Sequence, residues 1–418
     1  MTDTRRALLW GIFSVSLVML WDGWNKHNGQ PSMFAPPVAA SAAAAGSAPG
    51  VPAAPAQPAG VAPLPGLAAG GEPSRTIDIS TDLVRASIDT RGASLVGLTL
   101  PRYRDEHDTS KPVMLFDRSA QRVYQADSGL IPQLAGQAAL PNHTTPMTLV
   151  PGPLTLADGQ NELAVSFESA EQGGVKLRKT YVFKRGDYAV RVRHEVVNTS
   201  AAPVAAQLYL QLARDGTVPS TSIFMGPAAF TGPAVYTDAA KFQKVDFADI
   251  EKSKADHEKS ADNGWIAMVQ HHFVGAWIFN DKVARSFQTK REGTNLYSVA
   301  MTLPVDAIAP GATKTVETTL YAGPQEENKL EALAPGLELV KDYGWVTMLA
   351  KPLFWLLDKL HGLIGNWGWS IVALVVLLKI AFYWLNAKAY ASMAKMKAIN
   401  PKIMELRERL KDKPQQMQ

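Results

Sequence analysis

The sequence of 418 residues contains no cysteine. Disulfide bonds, thiolate metal sites and cysteine nucleophiles are therefore excluded. No zinc-ligand spacing, phosphate-cradling glycine loop or nucleophile elbow is present either. Because the usual signatures of metal and cofactor chemistry are missing, we expect neither a metal nor a cofactor.

A uniformly basic surface is also missing, although the formal net charge is +4. Residues 386–418 contain eight Lys or Arg and three Asp or Glu, so the tail carries 8 − 3 = +5 and the preceding residues carry 4 − 5 = −1. A basic patch is the footprint of nucleic-acid binding. The middle of the chain therefore predicts no nucleic-acid partner.

Charge is absent from the first apolar run, residues 7–21, which follows Arg5 and Arg6. Basic residues before such a run are typical of a signal sequence or signal anchor. Bulky and charged residues follow the run where a cleaved signal would have small ones. The pattern favours an uncleaved transmembrane anchor over residues 1–30 with its N-terminus in the cytoplasm.

Residues 31–71 are dominated by Ala, Pro and Gly and offer little that could build a core. Such composition predicts a partly extended, flexible tether without chemistry of its own.

Alternating apolar and polar residues characterise the next block, residues 72–335. Residues 175–183 and 188–196 both alternate with a period of two, and a turn at 185–187 separates them, which predicts a β-hairpin. Similar alternation recurs at Ala206–Leu212, Tyr297–Leu303 and Val316–Leu320. One large antiparallel β-sandwich domain is the economical prediction.

Residues 336–366 change to helix-forming composition, with a polar face opposite a row of leucines. Lys351, Asp358 and Lys359 would each cost about 2.5 to 3.5 kcal/mol near a bilayer centre. The segment is therefore predicted to be an amphipathic helix in the membrane interface.

Residues 367–385 form a second apolar run, in which ten Ile, Leu, Val and Phe residues accompany one lysine, Lys379. The lysine costs about 3 kcal/mol and the apolar residues return roughly 0.3 to 0.6 kcal/mol each, so a transmembrane helix is allowed. The aromatic residues predicted to mark its two interfaces are Trp367, Trp369, Tyr383 and Trp384. The basic tail at 386–418 predicts a cytoplasmic C-terminus and an extracytoplasmic β domain.

Lys379 itself has two interpretations. It lies roughly 9 Å along the helix from Leu385, and a lysine side chain reaches about 6 Å, so reaching the headgroups requires tilt, thinning or a wet groove. Either Lys379 snorkels to the cytoplasmic face, or it lines a polar cavity that receives acidic or polar segments. Energetics alone do not choose between the two.

The histidines of the β block are weak catalytic candidates. His194 has an apolar-phase position and is predicted to be a core residue. His271 and His272 lie in the apolar stretch 265–279, and neighbours in one strand point to opposite faces, so they are not expected to share a metal.

The tail carries apolar residues at helical spacing, including Met393, Met396 and Ile399, with a break at Pro401. It is interpreted as a helix that packs on a partner hairpin, or as an adaptable methionine-bearing surface for apolar clients.

Several long motifs resemble one family, the YidC membrane protein insertases of Gram-negative bacteria. They are RRALLWGIFSVSLVMLWDGW, APGLELVKDYGW, AKPLFWLLDKLHGLIGNWGWSI and YASMAKMKAINPKIMELRERL. The resemblance implies a membrane protein of α+β class. Its parts would be an N-terminal transmembrane helix, a periplasmic galactose-mutarotase-like β-supersandwich, an interfacial helix, a second transmembrane helix and the start of a cytoplasmic hairpin at 386–418.

The resemblance also implies function. The chain would not be an enzyme, and it would help membrane proteins insert and fold in the inner membrane, with or without the Sec translocon. Its partners would be nascent membrane proteins, lipid, and Sec components and the ribosome. Lys379 matches the basic residue that faces a hydrophilic groove in this family, where many relatives have arginine.

Two features depart from the family pattern. Trp384 stands where relatives commonly carry proline, so the helix is expected to continue without a kink. The sequence ends at Gln418, inside the hairpin, whereas the family continues through three further spans, so the polypeptide is expected to be a fragment.

Two other functions compete with the insertase. A membrane-tethered mutarotase-like or sugar-binding enzyme would need one of His194, His271 and His272 to meet a carboxylate in one cleft. A periplasmic scaffold for the secretion machinery would need only a docking surface.

Overall fold

The structure is a computed structural model that describes residues 62–67, 75–105, 108–119, 122–217, 230–341 and 347–409. The anchor predicted at 1–30 and the last nine residues of the predicted hairpin lie outside these ranges. Within them, eighteen strands form the bulk of the fold, and three long or medium helices follow near the C-terminal end.

The strands are β1 (Thr76–Ser80), β2 (Arg85–Asp89), β3 (Ser94–Arg104), β4 (Pro112–Arg118), β5 (Val123–Pro132), β6 (Met147–Leu149), β7 (Glu162–Ser169), β8 (Val175–Lys184), β9 (Ala189–Asn198), β10 (Val204–Asp215), β11 (Gly232–Thr237), β12 (Lys241–Lys244), β13 (Ser260–Ala261), β14 (Trp265–Val269), β15 (Phe273–Ile278), β16 (Arg285–Gly293), β17 (Leu296–Ile308) and β18 (Thr313–Pro324). They form two nine-stranded antiparallel sheets. The first has the order β1-β2-β3-β4-β5-β10-β17-β16-β13, and the second β12-β11-β14-β15-β18-β9-β8-β7-β6.

The predicted hairpin is β8 and β9. Leu177 pairs with Val196 and Phe183 with Val190, so the apolar residues of both strands share one buried face. Gly186 in the connecting turn has a φ of 73°, a conformation that favours glycine. The other three predicted strands lie within β10, β17 and β18, so the predicted antiparallel sandwich is confirmed.

The core lies between the two sheets. Trp277 of β15 donates its indole N–H to the carbonyl oxygen of Gln211 in the opposite sheet, at 3.0 Å. Tyr124 of β5 donates its hydroxyl to the carbonyl oxygen of Met268, at 3.3 Å. Because Trp and Tyr combine large apolar area with a polar group, these bonds join the sheets without leaving the buried polar atoms unpaired.

One segment of the predicted tether is packed against the sandwich. In residues 62–67, Ala62 and Leu64 are buried in a small cluster with Ile131 and Tyr209 of the first sheet. Alternating prolines restrict this segment to an extended backbone, which brings every second side chain to the sheet.

The helices are α1 (Phe247–Glu251), α2 (Glu327–Leu333), α3 (Thr347–Ile364), α4 (Trp367–Ala381) and α5 (Tyr383–Arg409), with a 3-10 helix at Leu337–Val340. The 3-10 helix packs against the β core, because Leu337 and Val340 are buried there. The core therefore includes residues beyond the domain boundary predicted at 335.

The stretch 265–279 is not one strand, which corrects the prediction for His271 and His272. The two histidines lie in the turn between β14 and β15, and their rings stack with centroids 3.8 Å apart. The alternation of faces holds only inside a strand, so in a turn adjacent side chains can lie side by side.

Candidate functional site

The apolar helix α4 begins at a side-chain cap. Asn366 accepts a hydrogen bond from the backbone N–H of Trp369 at 3.2 Å, which satisfies one of the unpaired donors of the first turn. The Ser370 hydroxyl donates a hydrogen bond to the backbone carbonyl oxygen of Asn366 at 2.7 Å. These bonds fix the start of the helix immediately after Gly365.

The end of α4 is a bend, which corrects the expectation of a straight helix through Trp384. Helices α4 and α5 meet at 59° around Phe382. The ψ angle of Phe382 is 5°, outside the α-helical range, although its N–H still bonds to the carbonyl oxygen of Leu378 at 2.9 Å. The bend therefore arises from the backbone conformation of Phe382 and needs no proline.

By length and composition, no described helix is long and apolar enough to cross a membrane alone. Helix α4 and the part of α5 up to Pro401 pass the same test together, as a bent pair. The span predicted at 367–385 corresponds to α4 and the first residues of α5, with the bend inside it.

Lys379 lies in the last turn of α4 with an exposed side chain. Its helical neighbours at i±3 and i±4 are Val375, Val376, Phe382 and Tyr383, all exposed. Among the described residues, its ammonium group makes no ion pair or hydrogen bond. A cation is favoured at a helix C-terminus because the carbonyl ends of the peptide dipoles accumulate there.

The aromatic residues predicted to mark the interfaces are all exposed. Trp367 stacks on the His361 ring of α3 with centroids 3.8 Å apart. Trp384 lies under the Lys388 ammonium group, 4.9 Å from the ring centroid. Trp367 and Trp369 are at the start of α4, and Tyr383 and Trp384 follow its bend, so the four residues flank the apolar helix at both ends.

A buried polar cluster in the sandwich was only partly visible in the sequence. Lys179 and His194 face each other across β8 and β9, and both are fully buried. The Lys179 ammonium group donates to the carbonyl oxygens of Gly92 and Ser128, each at 2.5 Å. His194 Nε2 lies 2.9 Å from the Ser128 hydroxyl. His194 is thus a core residue, as predicted, while Lys179 was missed.

Burial controls the protonation of this pair. Desolvation lowers the pKa of Lys179 to about 7, and the nearby Asp127 carboxylate opposes part of that shift. Desolvation also lowers the pKa of His194 to about 3, and the charge of Lys179 adds to the effect. His194 is therefore neutral at physiological pH, and the pKa of Lys179 lies far below that of an exposed lysine.

A cavity of about 530 Å³ opens at one end of the sandwich, between strand ends of both sheets. His271 and His272 line it together with two carboxylates, Asp105 and Glu326. His194 is not among its lining residues. The mutarotase-like hypothesis requires a cleft in which a histidine and a carboxylate meet. This cavity brings His271 and His272 into such a cleft, and it does not include His194.

Family comparisons assign the two parts of the chain separately. The model described as YidC periplasmic domain matches residues 76–356. The model described as 60Kd inner membrane protein matches residues 359–418. The first covers the sandwich and most of α3, and the second covers α4 and α5.

Curated relatives match almost the whole chain. A protein named membrane protein insertase YidC from Cupriavidus necator is 49% identical over 424 aligned positions, covering 99% of this chain and 74% of the relative. Proteins of the same name from Herminiimonas arsenicoxydans and Burkholderia ambifaria are 46% and 48% identical, again over 99% of this chain. The chain spans about three quarters of the length of these relatives.

Solved structures give more distant matches. A galactose mutarotase related enzyme from Lactobacillus acidophilus is 9% identical with a TM-score of 0.38, covering 59% of this chain and 97% of its own. An active YidC insertase with its first transmembrane domain resolved is 13% identical with a TM-score of 0.33, covering 82% of this chain and 63% of its own.

Proposed function

The chain belongs to the YidC family of membrane protein insertases, and we propose that Lys379 is the cation that receives polar and acidic client segments in a groove. The protein is an insertase of the inner membrane with a periplasmic β domain, and it is not an enzyme. The observation that carries the family is identity of 49% along 99% of the chain. The observation that supports the role of Lys379 is an exposed ammonium group on an apolar helix, with no ion pair or hydrogen bond to any residue that the structure describes.

The topology we propose has the two termini of this chain in the cytoplasm. Residues 1–30 would form the anchor, 31–71 the linker and 72–335 the periplasmic sandwich. The interfacial helix would occupy 336–366, and the second span 367–385. The basic residues of 386–418 support a cytoplasmic tail, because positive charge is retained on that side of a membrane.

Helix α3 supports the interfacial part of this arrangement. The exposed large apolar residues of the helix lie within about half of its circumference, at 100° per residue; they are Met348, Leu349, Trp355, Leu363 and Ile364. Lys341, before the helix, lies 3.7 Å from the ring centroid of Phe354. An amphipathic helix with aromatic and basic residues binds at the headgroup boundary, where it holds the sandwich close to the membrane.

The chemistry of Lys379 follows from desolvation. A carboxylate brought to bilayer depth loses its hydration, and simulations and insertion scales alike make that loss costly. A cation fixed in a wet cavity offsets part of the cost by direct attraction in a medium less polar than water. Apolar client helices need no such partner and leave sideways into lipid.

The bend at Phe382 determines how deep this cation lies. Lys379 precedes Phe382 by three residues, which is roughly 4.5 Å along a helix axis. At the bend the helix leaves its original direction by 59°. Lys379 would therefore lie near an opening toward the cytoplasmic side, where water can reach it while the α4 helix remains in lipid.

The partners follow from the same arrangement. Nascent membrane proteins are the clients, and we propose the Sec translocon and the ribosome as the assemblies that deliver them. The tail beyond Asn386 carries the charge of +5 derived above, which suits the anionic surface of a ribosome.

The test is charge substitution at Lys379 in the complete protein. Lys379→Ala should reduce insertion of a client with an acidic translocated tail, and Lys379→Arg should retain it because the positive charge remains. Lys176→Ala, which removes an exposed lysine from the sandwich, serves as the control and should insert the client normally. Equal insertion by Lys379→Ala and the wild type would reject the groove-cation role.

Deletion of residues 75–320 distinguishes the insertase function from the scaffold function. If the sandwich is an accessory, a protein that retains the anchor, the interfacial helix and the span should insert Sec-independent clients at close to the normal rate. Loss of that insertion, with normal membrane levels of the deleted protein, would instead favour the scaffold function.

A further inference from the structure

The cavity at the end of the sandwich contains a buried cation with unused hydrogen-bonding capacity. Arg214, at the end of β10, lines the cavity and is only 5% exposed. Its Nη2 donates to the carbonyl oxygen of Thr217 at 3.2 Å, but its Nε and Nη1 have no acceptor in the part of the chain that the structure describes. A guanidinium group is always charged, so burying its N–H groups unpaired is unfavourable.

The neighbouring carboxylate, Asp215, attracts Arg214 electrostatically, but among the described residues it accepts no hydrogen bond from it. Asp215 accepts hydrogen bonds from the backbone N–H groups of Val123 and Thr217, each at 3.0 Å. The nearby cation Arg122 donates to the carbonyl oxygens of Met114 and Leu115, so it adds positive charge beside Arg214. Two adjacent guanidinium groups therefore face the same cavity.

A second unpaired donor points to the same ligand chemistry. Gln270, in the β14–β15 turn, also lines the cavity, and its buried Nε2 has no acceptor among the described residues. Gln325, which directly follows β18, donates its own side-chain amide to the carbonyl oxygens of Gln270 and Phe273. The unpaired buried atoms of the cavity wall are thus nitrogens with N–H groups, and they call for acceptor oxygens.

Part of the remaining wall is aromatic, and two carboxylates, Asp105 and Glu326, also line the cavity. The His271 and His272 rings stack, and Tyr103 meets Phe273 edge to face with centroids 5.4 Å apart. Flat aromatic surfaces of this kind bind rings and apolar groups. The cavity volume of about 530 Å³ suits a ligand larger than a simple ion.

We propose that this cavity binds a ligand that carries a carboxylate on a ring-shaped or apolar body, with Arg214 as its principal contact. The carboxylate would accept from Arg214 and Gln270, and the body would lie against the histidine pair. The site is distinct from the insertion path through α4. The same chemistry has two periplasmic sources, the C-terminal carboxylate of a polypeptide and a free sugar acid.

Matched probes distinguish these sources by calorimetric titration of the full chain in detergent. N-acetylphenylalanine is compared with N-acetylphenylalaninamide, and galacturonate with galactose, so that each pair differs chiefly in charge. We expect at least one carboxylate to bind at least about tenfold more tightly than its neutral partner. Tighter binding of N-acetylphenylalanine than of its amide indicates that the cavity binds a polypeptide C-terminus. Tighter binding of galacturonate than of galactose indicates that it binds a sugar acid.

Substitutions assign the binding to the cavity. Arg214→Gln should weaken the carboxylate probe by at least about tenfold, because the charged donor is lost. Arg104→Gln, on the exposed rim of the cavity, should weaken it less and should not disturb folding. Arg193→Gln, in the exposed face of β9, is the control and should change nothing.

Three results would overturn the proposal. One is the absence of binding by both carboxylates at about 1 mM. Another is equal affinity for each charged and neutral partner. The third is unchanged affinity in a folded Arg214→Gln protein, or in Arg104→Gln if Arg214→Gln does not fold.

Discussion

Lys179 predicts an unusual pH dependence of the stability of the sandwich. Its ammonium group is fully buried between the sheets, and its pKa falls from 10.5 to about 7 on folding. The unfolded chain therefore binds more protons than the folded chain between pH 7 and pH 10.5. Stability consequently rises with pH through that window and carries the full penalty below pH 7.

The perturbation is Lys179→Met, which keeps the side-chain length and removes the charge. From the two pKa values, the wild type should gain roughly 2 to 3 kcal/mol of unfolding free energy relative to the variant between pH 6 and pH 9. The variant also leaves the carbonyl oxygens of Gly92 and Ser128 without a donor. That cost does not vary with pH, so the pH dependence isolates the charge.

The assay is urea unfolding in detergent at a series of pH values, followed by the fluorescence of the tryptophans. Trp265 and Trp277 are buried in the sandwich and report on its unfolding. Lys176→Met removes an exposed lysine from the same strand and should give a difference that is constant with pH. If the difference between wild type and Lys179→Met is equally constant, the buried lysine does not titrate as the structure requires.

Two further predictions concern the same domain. His194→Gln should reduce the loss of stability on acidification. The pKa of His194 is lowered to about 3 on folding, so the wild type loses up to about 1.4 kcal/mol of unfolding free energy per pH unit as the pH falls from 6.5 toward 3. Acid unfolding curves with the wild-type slope would contradict this. Leu64→Ala should cost about 2 kcal/mol by urea unfolding, since Leu64 packs against Ile131 and Tyr209. An unchanged midpoint would show that residues 62–67 do not pack against the sheet.

Local periodicity explains why the sandwich could be predicted. The β8–β9 hairpin is encoded within about twenty residues, since alternation fixes the faces and Gly186 fixes the turn. The same pattern contained the signal for Lys179, which stands in apolar phase between Leu177 and Tyr181. Its significance depends on the carbonyl oxygens of Gly92 and Ser128, which accept its hydrogen bonds and which only the fold brings near.

The cavity was beyond sequence-based prediction because its residues come from distant strands. Arg214 and Arg122 are close in space but ninety-two positions apart, and Gln270 approaches from the other sheet. The turn at His271 and His272 was hidden inside a continuous apolar stretch without glycine or proline at its centre. Periodicity cannot identify such a turn, since apolar residues continue on both sides.

The types and the order of the helices were predicted correctly, and the prediction of a straight second helix was wrong. Composition indicated an amphipathic helix followed by an apolar one, and α3 and α4 agree with that order. The bend at Phe382 was not expected, because the expectation rested on proline alone and Trp384 replaces the proline that relatives commonly carry. The bend matters for Lys379, because α4 changes direction only three residues after it, at Phe382.

The most direct test of the central claim is a charge cycle between Lys379 and its client. Insertion would be measured in the complete protein for wild type, Lys379→Arg and Lys379→Ala, each with a client whose translocated tail is acidic or carries the corresponding amides. We predict that Lys379→Ala impairs the acidic client more than the neutral one, by a coupling of about 0.5 to 3 kcal/mol, and that Lys379→Arg inserts both clients as the wild type does. Equal impairment of both clients, or none, would contradict a cation that receives carboxylates.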